Sequence, residues 1–230
     1  MKYIFIYLIS LVVTTTTVYA QQIENRRKFD IRKYNENTVN DRVYTYQSND
    51  TTVVNLSFWG TYYLETQIFN GSQRENRYAY DLNGKIKSSS EYYAGVPIGK
   101  TKIFNTDGDI VKEVDEDAPY LFSMEDLRKL IVEIFDIDIL YPKRGYHHKI
   151  DRFQNGAYND QSLYPTANYI YDVDVMVNKN KLYSVPHHLI INAETGEILS
   201  HIDENGNELA SKYKKDTSMN TQRNWTPLMD

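Results

Sequence analysis

The chain has 230 residues and a formal net charge of −5 at pH 7, from 26 basic and 31 acidic side chains. A mildly acidic chain without a basic stripe is a poor candidate for binding nucleic acid or an anionic membrane surface. It has no cysteine, which excludes disulfides and a lipid-modified cysteine. Tyrosine occurs 21 times and suits half-buried strands, so the composition favours a globular protein rich in β structure.

The first twenty residues have the layout of a secretory signal peptide. Lys2 precedes an apolar run over residues 3–13, and residues 18–20 (V-Y-A) form a small-residue cleavage site. The run is too short for a comfortable membrane span, although an uncleaved anchor helix is the alternative interpretation. We therefore predict a signal peptide over residues 1–20, a periplasmic or extracellular location, and no membrane insertion after signal cleavage.

Residues 21–43 are polar and highly charged, and we predict an exposed lead-in with at most one short strand or helical turn. An internal repeat follows in residues 44–114, where glycines recur at every twenty-fourth position, at Gly60, Gly84 and Gly108. Asn-Gly and Asp-Gly between alternating apolar runs are strong hairpin signals. A fixed period of this size predicts stacked β-hairpins that bury a shared face, here about five to six strands.

The run N-G-K-I-K-S-S-S-E-Y-Y-A-G-V-P-I-G-K-T-K-I-F-N-T-D-G-D-I, which begins at Asn83, resembles bacterial MORN-like repeats, including antitoxin-type variants. The resemblance covers about residues 56–114. Residues 71–94 and 95–114 match well, whereas the first unit has Trp59-Gly60 in place of Asn-Gly. The resemblance implies an array of hairpins that serves binding or scaffolding.

Residues 115–120 are acidic and contain a proline, as in a linker or hinge. Ser123 then provides a helix N-cap, and Asp126 occupies the capping-box position. Apolar residues follow at helical spacing, namely Leu127, Leu130, Ile131, Ile134 and Phe135. This amphipathic pattern predicts a helix that covers a sheet.

Residues 169–199 predict the sheet that this helix covers. The odd positions of 169–177 are apolar or aromatic and the even ones include two aspartates, so one face of this strand is buried. Residues 178–181 supply a polar reversal before the next strand, and Gly196 suits a tight turn. The pattern is lost over residues 137–167, where residues 141–158 predict one or two short strands with loops, and residues 209–230 predict a flexible tail.

The order of helix, hairpin and the turn N-A-E-T-G-E-I at residues 192–198 resembles the PepSY family, with Asn192 where the family has aspartate. The resemblance covers about residues 121–202, and we set this domain at residues 121–208. It implies a helix packed on a small antiparallel sheet, as found in protease-inhibitory pro-regions and sensory modules of secreted bacterial proteins. The predicted fold class is therefore α+β, with a β-hairpin repeat sheet followed by a helix on a sheet.

The histidine doublets at 147–148 and 187–188 contain candidate metal ligands. A reversal at residues 178–181 places Asp172 opposite His187, and Asp174 and His147 are further candidate ligands. The competing interpretation is an exposed cross-strand pair, since adjacent histidines on a strand point to opposite faces. We favour the pair and predict neither a metal nor a cofactor.

We interpret the clustered carboxylates as solvated linker and helix-end charges rather than as a calcium site or a general acid–base pair. They are Asp115, Glu116, Asp117, Asp136 and Asp138. No nucleophile elbow, phosphate loop, zinc-protease motif or catalytic cysteine occurs in the sequence, so we predict that the protein is not an enzyme.

Aromatic side chains in the repeat provide the candidate binding surface, because tyrosine and tryptophan are favoured at recognition sites. The candidates are Phe58, Trp59, Tyr62, Tyr63, Tyr92 and Tyr93. The alternative is that these rings form the shared core of the hairpins. The predicted function is a secreted, non-catalytic binding protein with a protein partner, of inhibitor, immunity or scaffold type. The alternatives are a sensor or carrier for a small molecule or polysaccharide, and, third, a hydrolase without a local motif.

Overall fold

A computed structural model describes residues 27–38, 42–142, 146–154, 167–176 and 186–209, with the strands 213–216 and 224–227. The predicted signal peptide and the reversal at 178–181 lie outside the described residues. The helices are α1 (Ile31–Asn37) and α2 (Met124–Phe135). The strands are β1 (Val43–Asn49), β2 (Thr52–Phe58), β3 (Tyr63–Phe69), β4 (Arg74–Tyr80), β5 (Ile86–Tyr93), β6 (Val96–Phe104), β7 (Ile110–Asp115), β8 (His147–Gln154), β9 (Tyr169–Met176), β10 (His187–Asn192), β11 (Ile198–Ile202), β12 (Tyr213–Asp216) and β13 (Asn224–Pro227).

Two compact units contain these elements. Among the described residues, unit 1 comprises 27–70, 75–91 and 100–114, and unit 2 comprises 71–74, 92–99 and the chain from 115 onward. β1 to β7 form one sheet in chain order, which is the arrangement of successive hairpins. β8 to β11 form a four-stranded antiparallel sheet, and β12 pairs with β13. The described chain is therefore mostly β, and the segment predicted as a flexible tail contains a strand pair.

The hairpin turns of unit 1 confirm the repeat. The Asp81 carboxylate accepts hydrogen bonds from the backbone N–H groups of residues 83 and 85, and Asn105, twenty-four positions later, does the same for residues 107 and 109. Gly84 and Gly108 follow with φ of 74° and 91°, values that favour glycine. The first hairpin turns without glycine, because the Asn49 side chain accepts from the N–H of Thr51.

The lead-in differs from its prediction, because part of it is buried. Phe29 and Tyr34 are 5% and 8% exposed and belong to the core of unit 1, whose other buried members are Val54, Leu56, Tyr80, Ile86 and Phe104. Asp30 begins α1 as its N-cap by accepting from the N–H of Lys33. Two aromatic residues thus anchor part of this charged segment in the core of unit 1.

A buried polar network supports this anchor. Glu65 on β3 is 8% exposed and accepts hydrogen bonds from the Arg27 guanidinium at 2.5 Å and from the Tyr80 hydroxyl at 2.9 Å. The Arg27 guanidinium also lies 3.9 Å from the centre of the Tyr78 ring. Burial and the adjacent Glu65 carboxylate raise the pKa of Tyr80, so its hydroxyl keeps its proton.

Unit 2 confirms the predicted helix on its sheet. Ser123 and Asp126 form the capping box, with the Ser123 hydroxyl accepting from the Asp126 N–H. Leu127, Leu130 and Ile131 are at most 3% exposed. They pack in one core with residues of the four-stranded sheet, including Ile150, Tyr171, Val173, Val175, Leu189 and Ile191.

The register between β9 and β10 corrects the predicted one. Asp172 pairs with Ile190, three residues further along the chain than the predicted partner, His187. An odd shift exchanges the two faces of β10. The observed register places Leu189 and Ile191 on the buried face beside the valines of β9, and burial of these two side chains provides the physical reason.

Candidate functional site

Three of the six predicted binding residues are exposed at the tip of the β2–β3 hairpin. Trp59 is 63% exposed, and Phe58 and Tyr62 are each 38% exposed. The Trp59 N–H donates to the Tyr62 carbonyl at 2.9 Å, and Gly60 has a φ of 79°. The Trp59 indole N–H donates to the Ser57 hydroxyl at 3.1 Å. A closed turn thus presents three rings, and we call Phe58, Trp59 and Tyr62 the aromatic tip.

The other three predicted residues are packed. Tyr63 stacks on Phe29 with 4.5 Å between ring centres and packs against the core of unit 1. Tyr93 is 1% exposed and lies in the core of unit 2, and burial raises its pKa. Tyr92 is half-buried. Tyr63 therefore fits the alternative in which the rings form the shared core of the hairpins, whereas Tyr93 is buried in the core of unit 2.

Two of the clustered carboxylates, Asp117 and Asp138, are engaged in ion pairs. Asp138 accepts two hydrogen bonds from the Arg128 guanidinium, at 2.8 and 2.6 Å, and this lowers its pKa. Asp117 pairs with Arg152 at 2.7 Å. Sequence reasoning did not find these partners, because the residues of the second pair are 35 positions apart.

The two histidines of the second doublet point to opposite faces of the sheet, as predicted. His187 lies on the face that α2 covers, where its Nδ1 is 3.1 Å from Nε2 of His201. The Phe135 ring of α2 contacts both imidazoles, with ring centres 5.0 and 5.8 Å away. His188 lies on the outer face, where its Nδ1 is 3.0 Å from the Asp174 carboxylate.

We expect stability to fall on acidification because of His201, which is 1% exposed. Burial, and secondarily His187, lower its pKa to about 4. The unfolded imidazole has a pKa of about 6.5, so only the unfolded state takes up this proton between pH 6.5 and 4. The full contribution is present above pH 6.5, about 3 kcal/mol is lost on descent to pH 4, and nothing further is lost below.

Urea denaturation at a series of pH values between 7.5 and 4 measures this loss. His201→Leu replaces the imidazole with an apolar side chain that cannot titrate, so the dependence of its unfolding free energy on pH is expected to be shallower than that of the wild type. Equal slopes for the two proteins would show that His201 is not the responsible group.

The sheet's outer face brings together a group that the predicted register did not assemble. The ligand atoms of Asp172, Asp174 and His188 all lie within 4.8 Å of one another, and all three side chains are half-buried. Among the residues that the structure describes, no other group of three or more histidines and carboxylates meets this distance. Two of these residues, Asp172 and Asp174, are candidate metal ligands in the sequence, and His188 takes the place of His187 because of the register.

Comparisons with known proteins gave no match: no protein-family model, no curated protein and no solved structure is significantly similar to this chain. Within the described ranges, neither helix has the length and apolar character needed to cross a bilayer.

Proposed function

We propose that this is a secreted, non-catalytic binding protein of the bacterial cell envelope, and that the aromatic tip contacts a protein partner. The single observation on which the proposal rests is the exposure of Phe58, Trp59 and Tyr62 together at one hairpin turn. Large aromatic side chains contribute much of the binding energy at protein interfaces, because they bury area at low entropic cost. Inhibition, immunity and scaffolding are the roles that such a contact serves.

The form of the aromatic tip favours a protein over a small molecule. Small ligands are bound mainly in concave pockets lined by apolar and aromatic groups. A concave site described in unit 1 is lined largely by polar and charged groups, including Lys85, Asn105 and Asp107. The exposed rings project instead from a turn, where the complementary pocket must belong to the partner.

The domain identities are part of the same proposal. A meander of hairpins whose turns recur every twenty-four residues supports a MORN-like repeat at residues 56–114. A helix on an antiparallel sheet, followed by the turn at 192–198, supports a PepSY-like domain at residues 121–202. The sequence of residues 1–20 supports export to the periplasm or the extracellular space.

Replacement of Trp59 by serine should strongly weaken partner capture. The full chain is expressed with its own N-terminus, purified after export and used as bait in cell-envelope extract. We expect the wild type to retain one protein in near-equal amount and Trp59→Ser to bind it at least about tenfold more weakly, which corresponds to about 1.4 kcal/mol. Titration of the purified partner measures the change in Kd.

Leu82→Ser is the matched control, because Leu82 is also an exposed apolar side chain in a hairpin turn of unit 1, at 56% exposure. We expect this variant to bind the partner as the wild type does. Equal losses in the two variants, or equal capture by the wild type and Trp59→Ser, would contradict a role for the aromatic tip.

A further inference from the structure

The outer face of the four-stranded sheet has two adjacent rows of polar side chains. In one row Lys149, Asp174 and His188 are neighbours across β8, β9 and β10. In the next row Asp151 is opposite Asp172. Side chains on neighbouring strands of one face are held close by the backbone hydrogen bonds of the sheet. The fold therefore determines the relative positions of these polar side chains.

The two distances from His188 within this group match those between ligands that share one metal ion. Nδ1 of His188 lies 3.0 Å from a carboxylate oxygen of Asp174 and 3.4 Å from one of Asp172. Two donors bound at about 2.1 Å are separated by about 3.0 Å at an octahedral angle and about 3.4 Å at a tetrahedral angle. The three side chains can thus reach one ion with small adjustments.

The charges on this face also favour a cation. The Asp151 carboxylate is paired with the Lys149 ammonium at 2.5 Å, which leaves Asp172 and Asp174 to share one imidazole. The half-buried Asp172 and Asp174 carboxylates lie on one face of the sheet and repel each other. A divalent ion offsets this repulsion more fully than an imidazolium does.

We propose that Asp172, Asp174 and His188 form a binding site for a divalent first-row transition ion of the Zn²⁺ class. The imidazole nitrogen favours Zn²⁺ over Ca²⁺ and Mg²⁺, which prefer ligand sets made only of oxygen. Three protein ligands leave at least one coordination position for water or for a donor from outside the chain. This site is separate from the aromatic tip and does not depend on the proposed function.

Zinc titration of the exported full chain, prepared without a histidine tag, tests the site. Competition with a chromophoric zinc chelator gives the Kd, and the melting temperature with and without Zn²⁺ gives a second measurement. We expect Zn²⁺ to bind the wild type and raise its melting temperature. Asp174→Asn and His188→Gln, which conserve size at half-exposed positions, should each weaken binding by roughly tenfold or more.

Neighbouring charges provide the matched controls. Asp151→Asn removes one negative charge from the same face but leaves all three donors, so we expect a loss of less than about threefold, and Lys149→Gln should tighten binding slightly. An equal loss in Asp151→Asn and Asp174→Asn would overturn the proposal in favour of general attraction of cations. Binding of Zn²⁺ no tighter in the wild type than in His188→Gln, or a preference for Ca²⁺ over Zn²⁺, would also overturn it.

Discussion

Replacement of Gly196 by alanine should strongly destabilise unit 2. Gly196 has a φ of +74°, and a Cβ built on it would lie 2.2 Å from a ring carbon of Phe122. The left-handed backbone costs an alanine about 1–2 kcal/mol, and overpacking of a buried ring adds about 1–3 kcal/mol. We expect the unfolding free energy to fall by about 2–5 kcal/mol, measured by urea denaturation followed by circular dichroism.

The Phe122 ring cannot easily move away, since it is buried and the Phe122 backbone is held by two hydrogen bonds. Phe122 is 1% exposed, its N–H donates to the Ala193 carbonyl at 2.8 Å, and its carbonyl accepts from the Tyr171 hydroxyl at 2.8 Å. Relief of the clash therefore requires the backbone at Phe122 and the backbone of the turn to move. Such a shift would extend into the core of unit 2.

Gly206→Ala is the matched control for this variant. Gly206 has a φ of +82°, but a Cβ at that position meets nothing within 4 Å. It should show only the backbone cost of about 1–2 kcal/mol. The double variant Gly196→Ala with Phe122→Leu should recover part of the loss relative to the sum of the single changes. Equal losses at the two glycines, or strict additivity with Phe122→Leu, would mean that the ring contact does not matter.

Local patterns predicted those parts of the fold that depend on neighbouring residues. The capping box of α2 and its apolar stripe follow from spacing within one helix, and the turns at Gly84 and Gly108 follow from two-residue signals. The buried face of β9 follows from its period of two, with Tyr171, Val173 and Val175 fully buried. Each of these structures is determined by residues a few positions apart.

Register and long-range packing could not be predicted in the same way. A period of two fixes which side chains of β10 share a face, but the pairing with β9 also depends on the length of the connection, and the assumed reversal at 178–181 gave the wrong register. The candidate ligand consequently changed from His187 to His188. Similarly, the tyrosine pattern of the repeat could not show that Tyr93 is covered by unit 2's core while Tyr62 stays exposed.

Residues after the predicted helix show the same limit. Ile137, Ile139 and Leu140 belong to a segment without clear periodicity, yet they are at most 5% exposed and complete the core beside α2. Short irregular segments bury side chains according to the space that distant elements leave for them. The ion pair between Arg152 and Asp117 in unit 2 could not be predicted for the same reason.

Replacement of Arg152 by glutamine is the second change that we expect to be strongly destabilising. Its side chain is 4% exposed, pairs with Asp117 at 2.7 Å and donates to the Pro97 carbonyl. Its guanidinium also lies 4.4 Å from the centre of the Tyr120 ring. Asp117 is half-exposed and recovers part of its solvation when the arginine is lost, so we expect a cost of about 2–4 kcal/mol, below the upper range for breaking a buried pair.

Lys149→Gln is the matched control, because it also removes a positive charge from an ion pair but at an exposed position. Lys149 is on the same strand and pairs with an aspartate at 2.5 Å, but its side chain is 71% exposed. When one partner of an exposed pair is removed, water replaces it at little cost, so we expect the unfolding free energy of this variant to match that of the wild type.

Hydrogen exchange gives a local measurement of the same effect. The Gly99 N–H donates to Asp117 and the Glu116 N–H donates to the Gly99 carbonyl. In Arg152→Gln these two amides should exchange faster, since Asp117 loses the cation that positions it. If the two variants have equal stability, or if protection at Gly99 and Glu116 is unchanged in Arg152→Gln, then Arg152 does not stabilise this part of unit 2.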